Sequence, residues 1–300
     1  MKKFLIVIYL TFAAGLTPVA AKYVTSEISP LSLAFFRFGI ATLLLILFFK
    51  LKGITFRIDK KDIWFMAMLG ALCIPINQFF FLVGISLSTS SNSGVMYAMT
   101  PMIAYLISIK MKKEKFGYVK LLTISLTIIG IVIIFWESLM QSLSQKSSLF
   151  LGNILLFFAV SSWAVYVTLS VKMIEKYGAL KTSTIAFIFG MVLYIPVFLF
   201  DAHNFTLSKL TFWGVIGFIH LSVLVAFLSY FIYNYSAKFI KISTLTTLTN
   251  TSPIITIIFS YFLLKETFSV YFIVGAIITL VGVFLTQFID RKPIKENIND

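Results

Sequence analysis

The stretch PMIAYLISIKMKKEKFGYVKLLTISLTIIG at residues 101–130 returns, altered but in register, as PIITIIFSYFLLKETFSVYFIVGAIITLVG at residues 253–282. Pro101/Pro253, Ser108/Ser260, Lys113/Lys265, Glu114/Glu266, Phe116/Phe268, Thr127/Thr279 and Gly130/Gly282 are each 152 positions apart. Seven matches in one gapless register, within mostly apolar sequence, mark a duplicated unit rather than shared composition. Each copy reads as an apolar helix with proline inside it, a short Lys-Glu turn, and another apolar helix.

Composition sets the class around this duplication. The 300 residues are 59% hydrophobic and only 12% charged, where a soluble domain carries about 25% charged residues. Apolar runs of about 18 to 23 residues recur along the chain, each long enough to cross a bilayer as a helix. This is the composition of an all-α, polytopic membrane protein. Cys73, the one cysteine, sits inside an apolar run, so an intrachain disulfide and a CxxC metal site are both excluded. The formal charge of +14 is explained by topology and calls for no nucleic-acid partner.

Ten transmembrane spans are expected, at roughly 3–22, 31–49, 62–84, 91–110, 118–136, 150–171, 183–200, 209–232, 242–263 and 268–289. Short polar connectors separate them, such as FKLKGITFRIDKKD (49–62), KMKKEKFG (110–117) and KYGALKT (176–182). With the N-terminus in the cytoplasm, 20 of the 25 basic residues fall on the cytoplasmic side. Lys22, Lys146, Lys209 and Lys265 fall on the other, and Arg37 stays inside a span. Both termini are therefore expected in the cytoplasm. The first 21 residues have a basic start, an apolar core and Val19-Ala20-Ala21, features shared with cleavable signal peptides. The duplication argues for an uncleaved first helix, because its removal would leave the first unit one helix short.

The expected units are 1–136 and 150–289, five helices each, joined by an external linker at 137–149 and followed by a cytoplasmic tail at 290–300. Five is odd, so the second unit enters the membrane from the opposite side. Such inverted repeats serve alternating access in many secondary transporters. A weaker match joins the second helices, AFFRFG (34–39) against IAFIFG (185–190), after a one-residue slip.

Pro101 and Pro253 fall near the membrane midplane and are the candidate hinges. Proline removes a backbone hydrogen bond and clashes with the carbonyl four residues earlier, here those of Tyr97 and Thr249. In lipid such carbonyls need another partner, which places the breaks in the protein interior or along a watery cavity. Hydroxyl-rich flanks accompany both, SSNSG (90–94) and TTLTNTS (246–252), although Ser and Thr can also simply satisfy a kink. The cavity candidates are Asn77, Gln78, Asn92, Tyr97, Thr100, Ser162, Trp163, Tyr166, Thr249, Asn250 and Thr251. Isolated Trp and Tyr residues in spans commonly serve packing, so the aromatic members stand below the polar ones. Arg37, the only permanent charge within a span, lies about six residues, roughly 9 Å of helix, below the outer surface. Intramembrane charges are functional candidates, and the plainer alternative is that Arg37 bonds helix-end carbonyls or reaches the interface. His220 is the one mid-membrane group that titrates near neutrality, with a hydrogen-bonded helix contact as its plainer role. Glu114 and Glu266 suit the starts of the fifth and tenth helices, where exposed amides welcome a carboxylate.

All eleven acids lie at span ends or outside the spans, so none can hold a proton or a cationic drug mid-membrane. There is no GxxxxGK[ST] for ATP and no HExxH for a metalloprotease, and no acid is placed to orient His220. No enzyme activity, cofactor or metal is expected.

The pattern resembles the drug/metabolite transporter superfamily, of the EamA type. Pro101…Lys113-Glu114…Gly130 and Pro253…Lys265-Glu266…Gly282 carry the resemblance, together with Arg37 in AFFRFG. The likeness implies two bundles around a central cavity, partly lined by the fourth and ninth helices. It also implies export of amino acids or similar small metabolites across a bacterial inner membrane. The expected partners are that metabolite and the lipid bilayer; a monomer suffices, and the oligomeric state stays open. The alternative from another class is a passive pore or a non-transporting membrane scaffold.

Overall fold

The computed structural model describes residues 2–111, 117–145, 147–204, 209–236 and 251–291. Among the described residues the chain is helical with no strand. Helices α1 (Lys2–Thr25) and α2 (Pro30–Leu51) precede one long span from Lys60 to Leu87. In that span α3 (Ile63–Ala71) and α4 (Asn77–Leu87) flank a π-helical turn, Leu72–Ile76. The next span is split into α5 (Ser90–Tyr97) and α6 (Thr100–Lys110). Then come α7 (Tyr118–Gln145), α8 (Leu149–Tyr177) and α9 (Ala179–Asp201). Helix α10 (Phe212–Ile219) continues through a second π-helical segment, His220–Ser229, into α11 (Tyr230–Ser236). Last are α12 (Ser252–Leu264) and α13 (Val270–Arg291).

Among the described residues, seven helices are long and apolar enough to cross a membrane, beginning at Leu5, Pro30, Lys60, Tyr118, Leu149, Ala179 and Phe212. Ser252–Leu264 and Val270–Thr286 are shorter apolar helices, and α5 with α6 forms the broken one.

Several boundaries differ from the sequence expectation. Helix α7 runs on to Gln145, so most of the expected linker 137–149 is helical. The extension is held by Gln141, whose Nε2 donates to Glu137 Oε1 at 2.7 Å one turn away, and by Asn153 donating to Ser138 at 2.6 Å. The KYGALKT connector shrinks to Gly178, which ends α8 and starts α9 at φ 80° and ψ 153°, a conformation open essentially to glycine alone. Asp290 and Arg291 of the expected tail belong to α13, and 292–300 lie outside the described residues. So do 242–250 of the expected ninth span and Lys113 and Glu114 of the first Lys-Glu turn.

In a bilayer, lipid tails are as apolar as leucine, so helices associate through close packing and hydrogen bonds. The pairs that pack are α7 with α13, α4 with α8, α1 with α12, α3 with α9 and α2 with α9. In addition α2 and α1 pack on the π-helical segment His220–Ser229, α6 on α8, and α5 on α12. Glycine sets the closest approach. A Cβ added to Gly130 would stand 2.5 Å from Gly275 O and 2.6 Å from Thr279 N. One added to Gly282 would stand 2.8 Å from both Thr123 O and Thr127 N. The two contacts are reciprocal under the 152-residue offset, and Thr123 and Thr286 hydrogen bond between the same helices at 2.7 Å.

Candidate functional site

The two candidate hinge prolines do not sit inside continuous helices. Pro101 occupies the first turn of α6 and Pro253 the first turn of α12, positions where a missing N–H costs nothing. The helix stops at Tyr97, Ala98 and Met99 close a tight turn, and a new helix begins. The Tyr97 carbonyl, left without a backbone donor, accepts the Thr100 hydroxyl at 2.8 Å. Thr100 is therefore spent on the break itself. Thr249 and Asn250 lie outside the described residues, and Thr251 immediately precedes α12. The halves α5 and α12 touch directly, with Gly94 against Thr256 and the Ser90 and Ser260 hydroxyls 2.6 Å apart.

Two π-helical segments are also present among the described residues. The first contains Pro75, whose lost N–H loosens the ladder and widens the turn. Asn77 and Gln78 follow at once, and both are buried. The second carries Leu221. Between the two segments a continuous polar chain crosses the interior. Arg37, only 5% exposed, donates from Nε to Leu221 O at 3.2 Å and from Nη1 to Gln78 Oε1 at 3.2 Å. Gln78 Nε2 donates to Asn77 Oδ1 at 2.6 Å. Asn77 Nδ2 in turn donates to Ala159 O at 2.7 Å, Tyr97 Oη at 3.3 Å and Ser162 Oγ at 3.5 Å. The chain thus ties α2, α4, α5, α8 and the second π-helical segment together. Aromatic rings frame it, with Phe38 5.1 Å from the Arg37 guanidinium, Phe81 edge-on to Tyr97 at 5.5 Å, and Trp163 against Tyr166 at 5.2 Å.

Of the sequence candidates, Arg37, Asn77, Gln78, Tyr97 and Ser162 are brought into one cluster, with Trp163 and Tyr166 on the same helix as Ser162. The backbone partner of Arg37 is Leu221 O, a carbonyl of a π-helical turn inside the bundle. Asn92 belongs elsewhere, to a knot in which it donates to Ser88 Oγ (3.4 Å) and to Asn153 Oδ1 (3.2 Å). His220 lies against the Ala13 backbone of α1, and its Nε2 is buried with no hydrogen-bond partner among the described residues.

A second set of polar contacts, unread in the sequence, closes the end of the bundle that carries the α1–α2 connection. Glu266 does not begin the tenth helix, which starts at Val270; its carboxylate caps α5 instead. It accepts Ser90 N at 2.8 Å, Ser90 Oγ at 2.7 Å, Ser91 N at 3.2 Å and the Ser91 hydroxyl. Asp201 caps α2, accepting Ser32 N at 3.2 Å, Ser32 Oγ at 2.8 Å and the Ser29 hydroxyl. Glu27 caps α10 through Thr211 N at 3.0 Å and Thr211 Oγ1 at 2.6 Å. Each carboxylate meets the positive end of a helix from another part of the chain. The only sequence signal was that acids and Ser or Thr helix starts share this face. At the opposite end Lys176 pairs with Asp59 and Asp62, and Tyr177 Oη also donates to Asp62.

The model of the EamA-like transporter family matches residues 1–136 and 150–288. The chain is 26% identical over 283 residues to the uncharacterized transporter YyaM of Bacillus subtilis (strain 168), covering 93% of this chain and 91% of that one. It is 25% identical to the uncharacterized transporter YetK of the same organism, covering 95% and 88%. The WAT1-related protein At3g02690, chloroplastic, of Arabidopsis thaliana is 28% identical over 92% of this chain and 67% of its own length. A crystal structure 13% identical in sequence covers 97% of this chain at a TM-score of 0.62, a likeness of fold alone.

Proposed function

The chain belongs to the EamA-like transporter family and is a multi-pass membrane transporter; on that premise we propose that it exports amino acids or similar small metabolites by alternating access. In this reading it lies in a bacterial inner membrane, with both termini cytoplasmic. It is built of ten spans as two inverted five-helix units, 1–136 and 150–289. The observation that carries the transport role is the buried polar chain from Arg37 to Ser162, which ties together five elements including the first half of the broken span and a π-helical segment. Lipid-facing packing gives no reason to bury such a chain; solute recognition does.

Inversion is supported by the packing. Under the offset, α4 on α8 has its counterpart in α1 on α11, and α6 on α8 in α1 on α12. Helices α7 and α13 are each other's counterparts and pack together, and α5 packs on α12, the counterpart of α6. The three carboxylate caps close one end of the bundle through contacts that a rocking motion can break and remake. Pro101 and Pro253 are the pivots.

The test compares medium and cytosol by mass spectrometry in cells lacking and cells overexpressing the protein. Export requires at least one metabolite that accumulates inside the null cells and outside the overexpressing ones. An unchanged metabolite profile would exclude it.

A further inference from the structure

We propose that Arg37 is the anion-binding group of the transport path and that the transported solute carries a carboxylate. This rests on the transport reading above and narrows it to a substrate class.

The guanidinium has five N–H donors and carries a delocalised positive charge. Two donors are engaged, both by neutral acceptors, Leu221 O and Gln78 Oε1, and the third neighbour is the Phe38 ring. Described carboxylates are committed elsewhere: Glu27 to Thr211, Asp59 and Asp62 to Lys176, Glu137 to Gln141, Asp201 to Ser29 and Ser32, Glu266 to Ser90 and Ser91. Glu175 is exposed near the end of α8. Among the described residues Arg37 is thus a buried cation whose partners are all neutral. Buried charges are costly without a counter-charge, and a solute can bring one.

The surroundings select among anions. Three guanidinium N–H groups remain without a partner among the described residues, in the planar fork that suits a carboxylate. Tyr97 Oη accepts from Asn77, and with no acceptor for its own hydrogen among the described residues it can donate toward the same solute. One positive charge balances one carboxylate. A phosphate monoester brings a charge of about −1.5 to −2 and would leave negative charge unmatched. A cationic solute would meet Arg37 with no acid to hold it.

The experiment uses proteoliposomes of the full chain loaded with a small-molecule extract of Bacillus subtilis. One batch of extract is untreated; in the other every carboxylate is converted to its neutral amide with carbodiimide and ammonia. Mass spectrometry follows what leaves the vesicles. Carboxylate-bearing solutes should leave from the first batch while their amides stay inside. Arg37→Gln should slow that release at least tenfold without changing the protein's elution profile in detergent, and Arg37→Lys should keep part of it. Release of a solute without a carboxylate, or of an amide as fast as its acid, overturns the proposal. Release of nothing from either batch overturns the transport reading, and this inference with it. If Arg37→Gln does not fold, the acid–amide comparison on the unsubstituted protein decides.

Discussion

The Glu266 carboxylate accepts both the backbone N–H and the hydroxyl of Ser90, at 2.8 and 2.7 Å, across 176 residues of sequence. It fastens the turn before α13 to the start of α5, the first half of the broken span. Hydrogen bonds to charged groups contribute about 1.5–3 kcal/mol each, so losing the charge should release this end of the bundle. Glu266→Gln should raise the labelling rate of a cysteine placed at Ser93, in α5, by roughly tenfold, since about 1.4 kcal/mol corresponds to that factor. A membrane-impermeant maleimide in a Cys73→Ser background reads this. An unchanged rate would reduce Glu266 to a local cap.

The Gly130 and Gly282 contacts should be equivalent in stability. Gly130→Ala brings a methyl onto the Gly275 carbonyl and Gly282→Ala onto that of Thr123, so α7 and α13 must separate in either case. Overpacking of this kind costs about 1–3 kcal/mol. Thermal unfolding in detergent should show similar losses for the two single variants. The double variant should lose less than their sum, because both act on one interface.

Proline at the first turn of a helix is compatible with that helix, so replacing it should leave folding nearly intact. Pro253→Leu restores a backbone N–H and allows α12 to extend toward its preceding residues. The expected outcome is normal membrane insertion and melting with transport reduced several-fold. Equal losses of folded protein and transport would assign Pro253 to structure alone.

Asn77 is the branch point of the polar chain, donating to Tyr97, Ala159 and Ser162 and accepting from Gln78. Asn77→Ala leaves Gln78 Nε2 without its acceptor, and a buried unsatisfied group costs about 1–3 kcal/mol. Melting should fall by that order and transport should fall further. Asn92→Ala, in the separate knot with Ser88 and Asn153, should lower melting with little effect on transport. Comparing the two variants in one assay separates site from scaffold.

Most of the helices were legible because a bilayer imposes a simple rule: long apolar runs must be helical, and charges gather between them. Arg37, Asn77 and Gln78 stood out for the same reason, being polar where lipid allows little polarity. What pattern could not give was partnership. The Arg37 contact with Leu221 depends on a π-helical segment with no proline in it. The Glu266 cap joins residues 176 positions apart, and Thr100 proved to serve the broken backbone at Tyr97. Helix α7 outran its apolar stretch because Glu137, Gln141 and Ser138 bond within the helix and to Asn153, which hydropathy does not register.

The most direct measurement is the initial rate of efflux from proteoliposomes, against internal concentration, of the metabolite that the overexpressing cells release. Alternating access requires that rate to saturate and to be lost in Asn77→Ala while the variant still reconstitutes. A rate that rises linearly without limit would make the protein a pore, and no flux above protein-free vesicles would make it a scaffold; either result contradicts the proposed function.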